Sequence, residues 1–341
     1  MNFSSDNASG VAPQIMAALA AANEGAAAAY GHDPVTRAAE AAFTDLFECD
    51  LAVFPVATGT AANALALSAL APPWGQIYCH RNAHVEEDEA GAPEMFTGGA
   101  KLALLDGGHG KIGLEALQNA IATAGFGVQH HPQPTALSLS QSTEAGTVYS
   151  LDELAALAAA AHDAGLAVHM DGARFANAVA HLGCSPAEAS WRAGVDVLSF
   201  GATKNGAMAA EAVIFFDPAK ADDFLFRRKR AGHLFSKMRY LSAQLVAYVR
   251  DDLWLDNARH ANASAQALSE GLAALEGGEL VHPVHANEIF VRLPTAVTSA
   301  MRAGGIGFQH WGNDGQVRFV CAFDTDLADV ERALNIARSA T

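Results

Sequence analysis

A single lysine, Lys204, stands in a loop of small residues between two apolar runs, VDVLSF before it and AVIFF after it. Burial disfavours the charged form of an ammonium group, and an uncharged lysine amine is a nucleophile that forms Schiff bases with carbonyl groups. Most loop lysines are simply solvated. Lys204 is therefore a candidate nucleophile only if the rest of the chain supplies partners for that chemistry.

Three segments supply candidate partners. In ATGTAANALALSAL, Thr58, Gly59 and Thr60 begin a predicted helix, whose free N–H groups would suit a phosphate. In HMDGARFANA, Asp171 ends an apolar strand, and ligands of open α/β sheets bind beyond such strand ends. In RNAHVEEDEAGAP, His84 lies between a strand and an acidic helix start. An N-cap, a capping aspartate and a structural histidine are the alternative interpretations.

Together these residues meet the needs of pyridoxal 5'-phosphate (PLP). The amine of Lys204 would form the Schiff base, and Asp171 would keep the pyridine nitrogen protonated so that the ring accepts electrons. The helix start at residues 58–60 would hold the phosphate. We therefore predict PLP as the cofactor and expect no metal ion.

A glycine-rich segment offers a competing interpretation. GHGKIG, at residues 108–113, matches the GxGxxG pattern of dinucleotide-binding proteins. That pattern also needs an acidic residue about 20 residues later to hold the ribose. The corresponding stretch, VQHHPQPTALSLSQ, contains no acid. We therefore expect a turn here and not a nicotinamide site.

Composition limits the classes of protein and partner. The chain has 341 residues, 51% of them hydrophobic, and a net charge of −16. It can bury a large core, and its charge opposes binding to nucleic acid and to anionic membranes. The four cysteines lie far apart without a CxxC pair, which indicates reduced thiols. With no secretory leader and no apolar run long enough for a bilayer, we expect a cytoplasmic protein with a small-molecule substrate.

Short apolar runs that alternate with alanine-rich stretches predict parallel βαβ units. SLDELAALAAAAHDAG begins with a capping box, Ser150 with Glu153, and ends at Gly165. Farther on, a basic segment, long helices, the strand-like runs EIFVRL and QVRFVCAF, and a helix from about Asp326 predict a smaller α+β domain. The seven predicted strands of the larger domain are LAVFPV (51–56), QIYCH (76–80), KLALLD (101–106), TALSLS (135–140), AVHMD (167–171), VDVLSF (195–200) and AVIFF (212–216).

The segments SDN, YGHDP, TGTAAN, AHVEEDEAGAP, QSTEAGTVYSLDEL, HMDGARFANA, SFGATKNG and SKMRYLSAQ resemble, in this order, the threonine aldolases among the fold-type I PLP enzymes. The resemblance covers nearly the whole chain. It implies an α/β fold with a mostly parallel sheet in the large domain and a smaller C-terminal α+β domain. We place an N-terminal segment at residues 1–30, the PLP-binding domain at 31–235 and the small domain at 236–341.

The resemblance also implies roles for individual residues. Lys204 would be the Schiff-base lysine, Asp171 the pyridinium partner, and His84 the residue stacked on the ring. Gly59 and Thr60 would bind the phosphate.

Further cofactor and substrate contacts follow from the same resemblance. Thr203 and Arg174 would contact the cofactor. Ser5, Arg174 and Arg318 would hold the substrate carboxylate, with Asp33 also near the substrate. Members of the family are homotetramers with active sites at subunit interfaces, so we expect the same assembly.

Two features depart from the family pattern, and one expected contact is not assigned to a single residue. YGHDP stands where YGDDP is usual, so His32 replaces an acid while Asp33 is kept. SQSTEAG replaces an ENTH-like loop that carries a second active-site histidine in many relatives. The basic segment from Arg227 to Lys237 is expected to reach a phosphate across the dimer, without one arginine being singled out.

The implied reaction is cleavage of an L-β-hydroxy-α-amino acid to glycine and an aldehyde. His84, or a water that it positions, is the candidate base for the β-hydroxyl proton. With one histidine missing, we expect both L-threonine and L-allo-threonine to be cleaved, and phenylserine to be accepted. β-Elimination or transamination on the same fold, a nicotinamide oxidoreductase and a non-catalytic binding protein are the alternatives.

Overall fold

Seven strands form the larger sheet of the computed structural model, which describes residues 1–312 and 315–340. They lie in the order β1-β7-β6-β5-β4-β2-β3. Each coincides within two residues with one of the predicted strands. The strands are β1 (Ala52–Val56), β2 (Gly75–His80), β3 (Lys101–Leu105), β4 (Gln133–Ser140), β5 (Ala167–Gly172), β6 (Val197–Gly201) and β7 (Glu211–Phe215).

The sheet is mostly parallel, as predicted, but β7 runs antiparallel to both of its neighbours, β6 and β1. The short connection at residues 202–210 explains this exception. A parallel crossover needs a dozen or more residues, so a shorter connection returns the chain antiparallel. As a result, the start of β7 lies at the same edge of the sheet as the carboxyl ends of the other strands.

Helices cover this sheet, and its alternating side chains show why both faces are apolar. On β7, Ile214 points into one buried cluster, whereas Val213 and Phe215 point into another. The predicted capping box is present, because Ser150 and Glu153 each accept a backbone N–H from the other residue. The helices up to residue 249 are α1 (Pro13–Ala22), α2 (Pro34–Phe47), α3 (Gly59–Leu70), α4 (His84–Glu87), α5 (Ala92–Thr97), α6 (Leu114–Thr123), α7 (Leu151–Asp163), α8 (Phe175–Leu182), α9 (Phe224–Arg230) and α10 (Arg239–Val249).

A second sheet, of four strands in the order β10-β11-β9-β8, lies in the C-terminal part of the chain. Its strand pairs are antiparallel, and EIFVRL and QVRFVCAF form strands as predicted. Phe3 is buried in the core of this sheet, so the N-terminus belongs to it in space. Its strands are β8 (Glu279–Leu280), β9 (Glu288–Arg292), β10 (Gln309–His310) and β11 (Gln316–Val320), and its helices are α11 (Leu253–Ala273), α12 (Thr295–Ala303) and α13 (Leu327–Arg338).

The long helix α11 joins the two cores. Its first turn places Trp254 in the core of the large sheet, and its second half places Leu268 and Leu272 in the core of the small sheet. The backbone of Phe3 forms hydrogen bonds with Gly307 and Val320 of the small domain. The residues after it form a 3₁₀ turn, Asp6–Ala8. None of the described helices is both long enough and apolar enough to cross a membrane.

Candidate active site

Two adjoining clefts lie at the carboxyl edge of the large sheet. The first has a volume of about 270 Å³ and the second about 400 Å³. Besides strand ends, the first cleft is lined by the start of α3, and the second reaches the small sheet. Both clefts are lined by Asn7, His84, Glu144, Arg174 and Lys204.

Lys204 lies in a single 3₁₀ turn directly after β6. Two hydrogen bonds hold this turn in place. The side-chain amide of Asn205 donates to the hydroxyl of Tyr248 at 2.7 Å and to the carbonyl of Trp254 at 2.8 Å. Gly206 then takes a φ of +114°, which favours glycine. Within the described chain, the Nζ of Lys204 has no hydrogen bond or ion pair. Its amine is therefore available to a ligand in the clefts.

A chain of hydrogen bonds links the side chains of Asp171, Asn63, Glu89 and His84 near this lysine. Oδ2 of Asp171, at the end of β5, accepts from the amide of Asn63 at 2.8 Å. The same amide donates to Oε1 of Glu89 at 2.8 Å, and that oxygen also bonds Nδ1 of His84 at 2.8 Å. The donor atoms of His84, Glu89 and Asp171 all lie within 4.8 Å of one another, but the Asn63 amide already bridges the two carboxylates. We read the group as a positioning network.

The hydrogen bond to Glu89 raises the pKa of His84, although burial opposes the shift. His84 also lies at the first position of α4, where its own backbone N–H donates to Oε1 of Glu144 at 2.9 Å. Glu89 thus holds the ring of His84, and Glu144 holds its backbone. Asn63 and Glu89 were not anticipated as site residues from the sequence, although both lie inside segments that carry predicted ones.

The predicted phosphate ligands Gly59 and Thr60 lie in the first turn of α3. Thr58 is the N-cap of α3, and its hydroxyl accepts the N–H of Ala61 at 3.2 Å. No described residue accepts the backbone N–H of Gly59 or Thr60, and a Cβ added to Gly59 would meet nothing within 4 Å. These N–H groups therefore open into the first cleft beside Lys204.

Thr203 also lines the first cleft, and its hydroxyl accepts the N–H of Ala210 at 3.2 Å. Beside it, Glu211 begins β7 and accepts the N–H of Ala202 at 2.7 Å. Burial raises the pKa of Glu211 to about 7, against hydrogen bonds from Thr203 and Ala202 that lower it. Glu211 directly precedes the apolar run AVIFF, and a charged residue at the start of a buried strand is a sequence signal for a site residue.

The two arginines predicted to hold the substrate carboxylate line the second cleft, and each already holds carboxylates of this chain. Nε and Nη2 of Arg174 donate to the carboxylate of Asp6 at 2.8 and 3.0 Å, and its Nη1 lies 3.2 Å from Oε2 of Glu288. Nε of Arg318 donates to Oε1 of Glu288 at 3.1 Å. Burial alone would lower the pKa of Arg174, but the charges of Asp6 and Glu288 raise it. Ser5 completes this group at the second cleft.

Asp33 is not part of either cleft in this chain. Its carboxylate caps α2, accepting the N–H of Thr36 at 2.8 Å and the hydroxyl of Thr36 at 2.9 Å, and the residue is fully buried. The neighbouring His32 is exposed. An Asp–Pro pair at a helix start has this capping geometry for local reasons, so the structure gives Asp33 a helix-capping contact where the sequence predicted one with substrate.

The basic segment from Arg227 to Lys237 reaches the phosphate site within the same chain. Nδ1 of His233 accepts the N–H of Ala57 at 3.4 Å. Arg228 is buried, with its guanidinium 5.1 Å from the centre of the Phe54 ring. Burial lowers the pKa of Arg228 to about 10. A contact from this segment to another subunit remains a prediction.

Comparisons with known proteins agree on one family. The sequence pattern of the beta-eliminating lyase family matches residues 2–296. A low specificity L-threonine aldolase of Pseudomonas aeruginosa is 48% identical over 98% of this chain and 96% of its own, and one of Pseudomonas sp. is 45% identical over 96% and 94%. The solved structure of Leishmania major threonine aldolase superposes with a TM-score of 0.92 at 26% identity, covering 99% of this chain and 98% of its own.

The chain belongs to the threonine aldolase branch of the beta-eliminating lyase family. In this lyase the donor set fits PLP. Unused N–H groups at the start of α3 suit a phosphate, the carboxylate of Asp171 suits a pyridinium, and the unpaired amine of Lys204 suits an aldehyde carbon. All three lie in the first cleft. The end of β6 packs closely against the loop after β5, which keeps Lys204 near Asp171. A Cβ on Gly201 would lie 2.5 Å from the carbonyl oxygen of Ala173, so only glycine fits there.

Proposed function

We propose that this lyase cleaves L-threonine, L-allo-threonine and related L-β-hydroxy-α-amino acids, including phenylserine, to glycine and an aldehyde with PLP as cofactor. One observation carries the proposal. The unpaired amine of Lys204, Asp171 and the open helix start at Gly59 and Thr60 line one cleft, and the two arginines line the adjoining one. The low specificity L-threonine aldolases that share almost half of its sequence support the same reaction.

The cofactor residues have distinct tasks. Lys204 would bind PLP covalently, Gly59, Thr60 and Thr203 would hold its phosphate end, and Asp171 would keep its ring nitrogen protonated. His84 would cover one face of the ring. Bound PLP supplies an electron sink for the bond that breaks in the amino acid.

Arg174, Arg318 and Ser5 would hold the substrate carboxylate. A planar guanidinium grips a carboxylate through two parallel hydrogen bonds. Since Asp6 and Glu288 already bind these arginines, the substrate carboxylate must share them or replace one partner. Fixing the carboxylate and the amine of the substrate determines the hand at Cα, so the L-isomer alone is expected to react.

The test is product analysis with purified protein, PLP and L-threonine. We expect glycine and acetaldehyde in equal amounts. Pyruvate-type keto acid and ammonia would instead support β-elimination, which the name of the wider family makes the second candidate. With a 2-oxo acid added as the amino-group acceptor, formation of a new keto acid without ammonia release would support transamination. Absence of turnover in the presence of bound PLP would overturn the proposal.

We further propose that the lyase is a cytoplasmic homotetramer. The free thiols of all four cysteines favour a reducing compartment. Leu225 and Phe226 on α9 expose 51% and 76% of their surface, and Met208, close to Lys204 in sequence, exposes 50%. Such apolar side chains favour contact with further subunits. Light scattering coupled to gel filtration tests the assembly, and a monomeric mass would contradict it.

A further inference from the structure

Glu144 occupies the boundary between the two clefts. It lies in the loop after β4 and lines both clefts together with Lys204, His84 and Arg174. A ligand that spans from the lysine to the arginines would lie in clefts that this side chain lines. The surrounding segment SQSTEAG lacks the histidine of the ENTH-like loop, and Glu144 is its one acidic residue.

The two oxygens of this carboxyl group have unequal surroundings. Oε1 accepts the N–H of His84 at 2.9 Å and the hydroxyl of Ser140 at 2.8 Å. Oε2 is buried, and no described residue donates a hydrogen bond to it. A buried carboxylate oxygen without a donor is costly, so this oxygen either carries a proton or is completed by a ligand O–H. The two bonds to Oε1 hold the group in one orientation and leave Oε2 without a donor.

The surroundings also set the proton affinity of the group. Burial raises the pKa of Glu144 to about 7, and the negative charge of Asp171 adds to the shift. On the opposite side the positive charge of Arg174 interacts with Glu144, and the buried side chains of Cys79 and Tyr149 also face it. A group that titrates near the working pH is well suited to take and return a proton.

His84 is less suited to the same task. Its Nδ1 is bound to Glu89, and that bond raises the pKa of the ring. The ring already bonds a carboxylate of this chain through one of its two nitrogens, whereas Oε2 of Glu144 has no partner among the described residues. His84 is therefore better placed to stack on the cofactor and to hold Glu144 through its backbone N–H.

We propose that Glu144 is the base that accepts the β-hydroxyl proton of the substrate. This inference rests on the proposed function and replaces His84 in that one role. The substrate O–H bond breaks, its proton goes to Oε2 of Glu144, and its electron pair forms the carbonyl of the aldehyde. Bound PLP would supply the sink for the electron pair of the Cα–Cβ bond, and a proton is added at Cα to give glycine. No oxidant or reductant is required.

The decisive variant is Glu144→Gln, which keeps an acceptor for His84 and Ser140 but removes the base. We expect kcat/KM for L-threonine to fall by about 10² to 10⁴, the usual contribution of a general base. Exchange of the Cα protons of glycine in D₂O, followed by NMR, should stay within about threefold, because glycine has no hydroxyl to deprotonate. Glu86→Gln, which removes an exposed carboxylate from α4, is the matched control and should change neither rate.

A second measurement does not depend on the loaded enzyme. Infrared spectra of the cofactor-free protein should show a carboxylic acid band that titrates near pH 7, and Glu144→Gln should remove the part of it that Glu211 does not supply. Glu144→Asp, which retains a carboxyl group, should recover part of the threonine activity.

Three results would overturn the inference. They are threonine cleavage by Glu144→Gln within about threefold of the unmodified enzyme, a parallel loss of glycine exchange in a PLP-loaded variant, or an unchanged infrared band. If the unmodified enzyme itself releases no glycine from L-threonine, the proposed function fails instead.

Discussion

Arg174 and Arg318 bind opposite oxygens of one carboxylate, that of Glu288. Arg174 lies 3.2 Å from Oε2, and Arg318 donates to Oε1 at 3.1 Å. Glu288 is only 2% exposed, so little water screens these charges. These ion pairs join Arg174, which follows β5 of the large sheet, to Glu288 on β9 and Arg318 on β11 of the small sheet. The two arginines expected to grip a substrate are therefore held in register by a glutamate between them.

Removal of this carboxylate should destabilise the protein. Breaking a buried ion pair by removing one partner costs about 3 to 5 kcal/mol, because the other charges stay buried. We expect Glu288→Gln to lower the free energy of unfolding by that order, measured by urea denaturation. The control is Glu279→Gln, which breaks an exposed pair with Arg292 in the same sheet and should cost less than about 1 kcal/mol. Equal losses of unfolding free energy in the two variants would show that the buried ion pairs of Glu288 stabilise the fold no more than an exposed pair does.

Asp171→Asn should separate cofactor binding from cofactor function. The variant removes the charge that would keep the pyridine nitrogen protonated, and it retains one acceptor oxygen in place of the two that bind Asn63 and the N–H of Ala173. We expect bound PLP by absorbance but a rate lower by at least about a hundredfold, the scale of one preorganised electrostatic partner. A nearly normal rate would place the electron-sink partner elsewhere.

The pKa values of Glu144 and Glu211 predict how stability depends on pH. Both are raised from 4.5 to about 7 by burial, so between these values the folded protein binds more protons than the unfolded chain. Their contribution is complete below pH 4.5 and is lost as the pH rises through 7.

We therefore compare the cofactor-free protein with the variant that carries both Glu144→Gln and Glu211→Gln, and we expect the change in stability from pH 5 to pH 8 to be less favourable in the unmodified protein. The difference should be on the order of 3 kcal/mol for each group at most. Urea denaturation at the two pH values measures it. Parallel changes in the two proteins would show that these carboxyl groups ionise normally.

Much of the fold followed from local patterns in the sequence. Apolar runs bounded by glycine and polar residues predicted all seven strands of the large sheet, because buried strands must be apolar on both faces. The antiparallel direction of β7 was not predicted, since it depends on the length of the loop that carries Lys204. The division into residues 1–30, 31–235 and 236–341 stays a prediction.

The site was predictable where a residue type has a marked local setting. Lys204, Asp171, Gly59 and Thr60 each stand at a strand end or a helix start, and the structure brings them together. The acidic partners Asp6, Glu89, Glu144, Glu211 and Glu288 were missed, because each is recognised only by the distant group that it contacts. Asp33 caps α2 in the structure, and its contact with substrate stays a prediction.

Discrimination between the two L-epimers should be weak. Rotation about the Cα–Cβ bond lets either epimer present its hydroxyl to Glu144, so the epimers differ mainly in where the methyl group lies. A methyl-sized contact is worth about 1 to 3 kcal/mol, or roughly 10- to 200-fold. We expect the ratio of kcat/KM for L-threonine and L-allo-threonine to lie within that range. A ratio beyond about a thousandfold, or cleavage of D-threonine, would require a residue that reads the hydroxyl or the hand more strictly.

The most direct test of the account is the site of covalent attachment of PLP. The protein is incubated with PLP, reduced with borohydride and digested, and the modified peptide is identified by mass spectrometry. We expect the cofactor on Lys204, in the peptide that contains SFGATKNG, and no modification or threonine cleavage in Lys204→Ala. Attachment to another lysine, or retention of covalent cofactor by Lys204→Ala, would contradict it.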